Sequence, residues 1–180
     1  MLYSYEECKL KLGSDYQIKK AIADGNLYRR EKGVYSDEKY VAELEIISWK
    51  YSKAIITLNS AFYYHGMTDV IPEYYYLQTP RGAAKIRDLR VRQIFENSLE
   101  VELGKIEMPY NGTKISIYNK ERMFVELIRS KNKLPFDYYK EIIGSYRNQI
   151  DTLDIQAIQE YAYILPKTNM IMETLQLEVL

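Results

Sequence analysis

His65 is the only histidine in the chain and Cys8 the only cysteine, so the two strongest metal-ligating side chains each occur once. Alone, Cys8 can form neither an intrachain disulfide nor a cysteine-based zinc site. Zinc at His65 would need carboxylates and water as its other ligands, a weak donor set for that ion. Ser60, His65 and Asp69 supply the residue types of a nucleophilic triad. The serine and histidine lie five residues apart on one predicted helix, however, and no G-x-S-x-G turn surrounds the serine. Glu43/Glu45 and Glu100/Glu102 are the carboxylate pairs that could serve a metal-dependent nuclease. On a helix the first pair points to different faces. On a strand the second pair shares a face, where like charges turn to solvent. The eight glycines are scattered, so no loop is built to cradle a phosphate. The expectation is a protein that is not an enzyme and uses neither metal nor cofactor.

Basic side chains make a stronger pattern. The chain of 180 residues has a formal net charge of zero, which argues against an undirected coat for nucleic acid or membrane. Locally the charge is placed: residues 81–92 hold five Lys/Arg against one Asp/Glu, and residues 145–180 hold two against five. Residues 1–36 hold seven against five. In that first segment Ser14, Gln17, Lys19 and Lys20 fall on one short predicted helix, and Arg29, Arg30 and Lys32 on a predicted hairpin. Glutamine can read adenine through a paired donor and acceptor, while lysine and arginine neutralise phosphates, so these residue types suit DNA. Arg81, Lys85, Arg87, Arg90 and Arg92 form a second basic patch, suited to a longer DNA footprint, an RNA or an acidic protein.

The elements that must position these residues are legible in the spacing. Tyr5, Cys8 and Leu12 share one side of a first helix that Gly13 breaks. Ser14 then stands as N-cap with Gln17 three residues on, a capping-box pattern, and the helix runs to Ala23 with Ile18, Ala21 and Ile22 inward. Asp24-Gly25 ends it, and Leu27–Arg30 and Gly33–Tyr35 read as strands around a Glu31-Lys32 tip. Helix, turn, helix, hairpin is the order of a winged helix-turn-helix.

Tyr40, Leu44, Ile47 and Tyr51 recur at helical spacing over 38–52, and Asn59–His65 reads as a further helix closed by Gly66. Strands are expected at Tyr74–Gln78, Val91–Phe95, Ile106–Met108 and Thr113–Tyr118, the last two joined by the hairpin signal Asn111-Gly112. Helices follow at 120–130, 137–149, 154–165 and 167–179, with breaks at Pro135 and Pro166.

Several stretches together resemble the AbiEi family of antitoxins from type IV toxin–antitoxin, or abortive-infection, systems. Asp24-Gly25-Asn26-Leu27-Tyr28-Arg29 with Gly33-Val34-Tyr35 is similar to that family's wing. Ile56–Gly66 resembles its S-A-x-x-x-H-G helix and is followed by Ile71-Pro72, and Ile115–Ile128 resembles its E-R helix. Ser60, His65, Glu121 and Arg122 fall on the recurring motif positions, where they read as structural rather than catalytic. The chain departs from the family by lacking most of the usual first helix, and by having Met123 and Glu126 where Thr-like and Asp residues are usual.

The expected fold is α+β. Residues 1–36, or 1–52 if the next helix completes the unit, form the winged helix-turn-helix, and residues 53–180 form a small mixed β-sheet with a helical C-terminal part. The resemblance implies a phage-defence antitoxin and transcriptional autorepressor that binds inverted repeats of double-stranded DNA in its own promoter. It also implies antagonism of a nucleotidyltransferase-like toxin, with no direct complex required. The alternative is a protein-interaction module whose degenerate winged helix does not bind DNA. No signal-like segment or run of roughly 18 apolar residues occurs, so a cytoplasmic protein without a membrane partner is expected.

Overall fold

Ser4 and Ser14 stand in extended backbone just before a helix, and each hydroxyl oxygen accepts the N–H three residues on, from Glu7 at 3.2 Å and from Gln17 at 3.3 Å. The computed structural model, which describes residues 1–180, places α1 (Tyr5–Leu12) and α2 (Asp15–Ala23) behind these caps. At Ser4 the box is complete, because the Glu7 carboxylate accepts the Ser4 N–H at 2.6 Å. At Ser14 only the serine half forms, and the Gln17 side chain stays in solvent.

A strand that spacing could not reveal, β1 (Leu2–Ser4), precedes α1. It joins β2 (Tyr28–Glu31) and β3 (Val34–Ser36) in an antiparallel sheet of order β1-β3-β2. The pleat then divides the side chains between two faces. Tyr3 and Tyr35, paired across the strands, lie on the face packed with Cys8, Ile18, Leu27 and Ala21. Leu2 and Val34 lie on the other, against Ile46, Val41 and Trp49. That second face is covered by α3 (Glu43–Lys50).

Two expectations fail here. The helix foreseen over 38–52 begins only at Glu43, and Tyr40 is 79% exposed instead of lying on a buried stripe. The reason is tertiary: the N-terminal ammonium bonds Asp37 and Glu38, and Arg30 donates to the Lys39 carbonyl at 2.7 Å, holding 37–40 out of helix. Ile22, foreseen as inward, is 36% exposed, because the seam with the sheet runs through Ile18 and Ala21.

The chain divides into two compact units, Met1–Ser52 and Lys53–Leu180. The second is built on a five-stranded mixed sheet of order β6-β5-β4-β8-β7. Its middle strand β4 is only Ile55–Ile56, too short for any period. It pairs antiparallel with β5 (Tyr75–Pro80) and parallel with β8 (Thr113–Tyr118) through Ile56 and Ile117. β5 runs parallel to β6 (Val91–Glu96). β7 (Lys105–Tyr110) makes a hairpin with β8 through Asn111-Gly112, whose φ values of +46° and +82° are those of the tight turn that fits strand twist. Glu100 and Glu102, foreseen on a strand, sit in the turns between β6 and β7.

Helix α4 (Leu58–Tyr64) follows β4, and α5 (Lys120–Ser130) follows β8, capped by the Asn119 side chain accepting the Arg122 N–H at 2.9 Å. Met123, Phe124, Val125, Leu127 and Ile128 are all fully buried, making α5 the central helix of the core. Then come α6 (Phe136–Asn148), α7 (Ile155–Ile164) and α8 (Thr168–Thr174), the last widening into a π-turn over Leu175–Val179. The fold is α+β with eight α-helices. No helix is long and apolar enough to cross a membrane.

Candidate nucleic-acid interface

With Ile18 and Ala21 turned into the core, helical geometry puts Tyr16, Lys19, Lys20 and Ala23 on the opposite side of α2. All four are exposed, as are Ser14 and Gln17 at the N-terminal end. The Ser14 hydroxyl oxygen caps the helix, so its own proton can still meet a phosphate oxygen. Asp15 is the one acid on this helix, and its carboxylate accepts the Tyr5 hydroxyl, which holds the Tyr5 pKa above its ordinary value. Tyr16, 71% exposed, had no part in the residue pattern read from the sequence. Its position opposite Ile18 and Ala21 was the available signal.

The hairpin leaves directly from the end of α2, where the Ala21 carbonyl accepts the N–H of Asn26 at 2.9 Å and of Leu27 at 3.1 Å. Its turn is Lys32-Gly33, one residue later than foreseen. Glu31 closes β2 opposite Val34 and pairs with Lys50 at 2.6 Å, so it is no part of the tip. Arg29 and Lys32 are exposed. Arg30 is half-buried and turned back, one guanidinium nitrogen donating to the Lys39 carbonyl while its Nε is buried without a hydrogen-bond partner. The seven residues read as a DNA-binding set are therefore not equivalent: six face solvent and Arg30 braces a loop.

Arg81, Lys85, Arg87, Arg90 and Arg92 lie on the loop between β5 and β6 and the start of β6. Arg90 is bound to Asp88, with contacts of 2.9 and 2.7 Å.

The four motif positions are tertiary staples. Ser60 donates to the Tyr74 carbonyl and accepts the Tyr76 N–H, both at 3.0 Å, tying α4 to β5. His65 Nε2 meets the Tyr118 carbonyl at 2.7 Å, tying the end of α4 to the end of β8, and it must carry the proton to do so. Burial lowers the His65 pKa, an effect that the Tyr118 bond only partly opposes. Glu121 accepts the Asp154 N–H at 3.1 Å at the start of α7. Arg122, fully buried, donates to Glu126 at 2.9 Å and to the carbonyls of Glu100 and Leu103 at 2.9 and 3.1 Å. It also reaches Glu96 at 3.4 Å, and its guanidinium lies 4.6 Å from the Tyr118 ring centre. Ser60 and His65 thus spend their polar atoms on different strands and form no nucleophilic pair. No three His, Cys, Asp or Glu side chains are grouped to hold a metal ion.

No protein-family model and no curated protein matches this chain. The Arg122–Glu96–Arg129–Glu126 network, which spacing hinted at only through the Arg122/Glu126 pair four residues apart, is internal scaffolding. Of the basic groups read from the sequence, the exposed ones are the cations of α2, Arg29 and Lys32 of the hairpin and most of those of the 81–92 segment.

Proposed function

We propose that Met1–Ser52 is a winged helix-turn-helix and that the protein is an antitoxin and transcriptional autorepressor of a type IV toxin–antitoxin operon. The observation that carries the DNA-binding part is the order β1-α1-α2-β2-β3 with α2 presenting Tyr16, Lys19 and Lys20 outward and the turn presenting Lys32. At 1.5 Å per residue α2 is about 13 Å long, a length that lies readily in a major groove of about 12 Å width. In this reading Gln17 meets a base edge, while Lys19, Lys20, Arg29 and Lys32 neutralise phosphates. Occupying promoter inverted repeats excludes polymerase. The antitoxin part draws on the motif resemblance, and the second unit then opposes a nucleotidyltransferase-like toxin without needing a stable complex.

A gel-shift against the protein's own upstream region, with scrambled DNA as competitor and at two salt concentrations, tests the repressor. Specific retardation is expected, and Lys19→Ala with Lys20→Ala should reduce the salt slope by about one unit per lysine. Equal retardation of both DNAs rejects it. Co-expression with the neighbouring toxin gene tests the antitoxin, through restored growth.

One observation favours the interaction-module reading: Leu10 is 86% exposed on α1, near the exposed Tyr16 of α2 in sequence. A stable protein complex lost on Leu10→Ser, with no DNA shift, would select that alternative.

A further inference from the structure

The loop joining β5 to β6 is basic and held by hydrogen bonds to β6, with Leu89 its one strongly exposed large apolar side chain. Asp88, the single acid of residues 81–92, is occupied by Arg90. That leaves Arg81, Lys85 and Arg87 exposed and in no ion pair, and Arg92 exposed with its guanidinium 4.0 Å from the Tyr74 ring centre. Gln93 sets the loop's shape. Its amide donates to Thr79 Oγ1 at 2.8 Å and to the Ala84 carbonyl at 3.1 Å, and its oxygen accepts the Ile86 N–H at 2.8 Å. The Arg81 N–H bonds the Glu96 carbonyl at 2.9 Å, tying the start of the loop to the far end of β6. The cations are thus carried on a pinned frame, which lowers the entropy lost on binding.

We propose that this loop is a second nucleic-acid contact, gripping the phosphate backbone of duplex DNA without regard to sequence through Arg81, Lys85, Arg87 and Arg92. Three of the four are arginines, whose forked donors match phosphate oxygens. Gly82, Ala83 and Ala84 lie between Arg81 and Lys85, so no bulky side chain stands in front of the backbone there. A protein partner would want an apolar centre ringed by polar groups, and here only Leu89, 94% exposed, could supply one. The proposal does not depend on α2 reading bases.

The test uses the full chain and a scrambled duplex, with affinity measured by fluorescence anisotropy over a salt series. Neutralising Arg81→Gln, Lys85→Gln and Arg87→Gln together should flatten the salt slope by about 2–3 and weaken low-salt binding about tenfold or more. Neutralising the exposed Lys114, Lys133 and Lys140 to Gln, an equal charge change elsewhere in the same unit, should leave both unchanged. Gln93→Ala, which keeps every charge but unpins the loop, should weaken binding. An unchanged slope in the loop variant overturns the proposal, and so does an equal loss in the control. Tighter loop-dependent binding of polyglutamate or of single-stranded RNA than of the duplex also overturns it. Lys19→Ala with Lys20→Ala separates the two sites: loop-dependent binding of scrambled DNA should survive that change even if no operator-specific complex exists.

Discussion

A guanidinium with no solvent exposure must find all its hydrogen bonds inside the protein, and Arg122 spreads them over two carboxylates and two backbone carbonyls. Arg129 completes the set, donating to Glu96 at 2.7 Å and to Glu126 at 2.6 Å. Burial works to raise the Glu96 pKa, but the Arg129 hydrogen bond, the Asn97 N–H and both arginine charges together hold it below the usual carboxylate value. Arg122→Met would leave Glu126 with Arg129 alone and the Leu103 carbonyl unmet, so a loss of about 3–5 kcal/mol in chemical denaturation is expected. Arg122→Lys should recover little, because an ammonium cannot reproduce the fork. Gly104 is coupled to the same residue. Its φ is +78°, and a Cβ there would sit 2.5 Å from Arg122 Cβ, inside any allowed contact. Gly104→Ala should therefore destabilise by about 2 kcal/mol or more, read as a lower urea midpoint.

Among the elements, α3 explains how so small an N-terminal unit holds together. A three-stranded sheet with helices on one face leaves its other face wet, and Ile46 and Trp49 cover it at Leu2 and Val34. Ile46→Ala should cost about 2–4 kcal/mol in the stability of that unit. If the proposed DNA binding holds, affinity should fall only as the folded fraction falls, with the salt slope intact, because Ile46 is buried and carries no charge. Both quantities come from one anisotropy series with a parallel melt. Ser14→Ala should behave differently. It removes the cap of α2, about 1 kcal/mol, and takes away a hydroxyl at the proposed DNA face.

For the whole molecule the acid side of the stability profile is set by His65 and by three carboxylates, Glu7, Asp37 and Glu96, all with pKa values lowered on folding. The His65 pKa is lowered on folding, so the unfolded chain takes up a proton more readily than the native one. Its contribution is complete above the ordinary histidine value of about 6.5 and is lost as pH falls below it. Glu96 is lowered as well, and for a carboxylate that contribution is complete above about 4.3 and lost as pH falls through its folded value. Urea midpoints from pH 7.5 down to 3.5 should thus decline in two stages. His65→Gln, which keeps a donor for the Tyr118 carbonyl but cannot titrate, should remove the upper stage and leave the lower one. An unaltered profile in that variant would show that another group sets the upper stage.

Local chemistry wrote much of this fold into the chain. The cap at Ser14, the Asn111-Gly112 turn and the helical runs from Lys120 onward are decided within a few residues, so spacing alone places them. The exposed cations of α2 were legible for the same reason, since Ile18 and Ala21 define the inward side. Strands β1 and β4 are three and two residues long and carry no period, so only their partners make them strands. Tertiary structure also decided that Arg30 turns to Lys39 and that Arg122 meets Glu96 across 26 residues of chain. Each such charge could equally have faced water in another packing. Which cations remain free to bind a partner depends on long-range contacts, and those follow from how the faces of the elements meet.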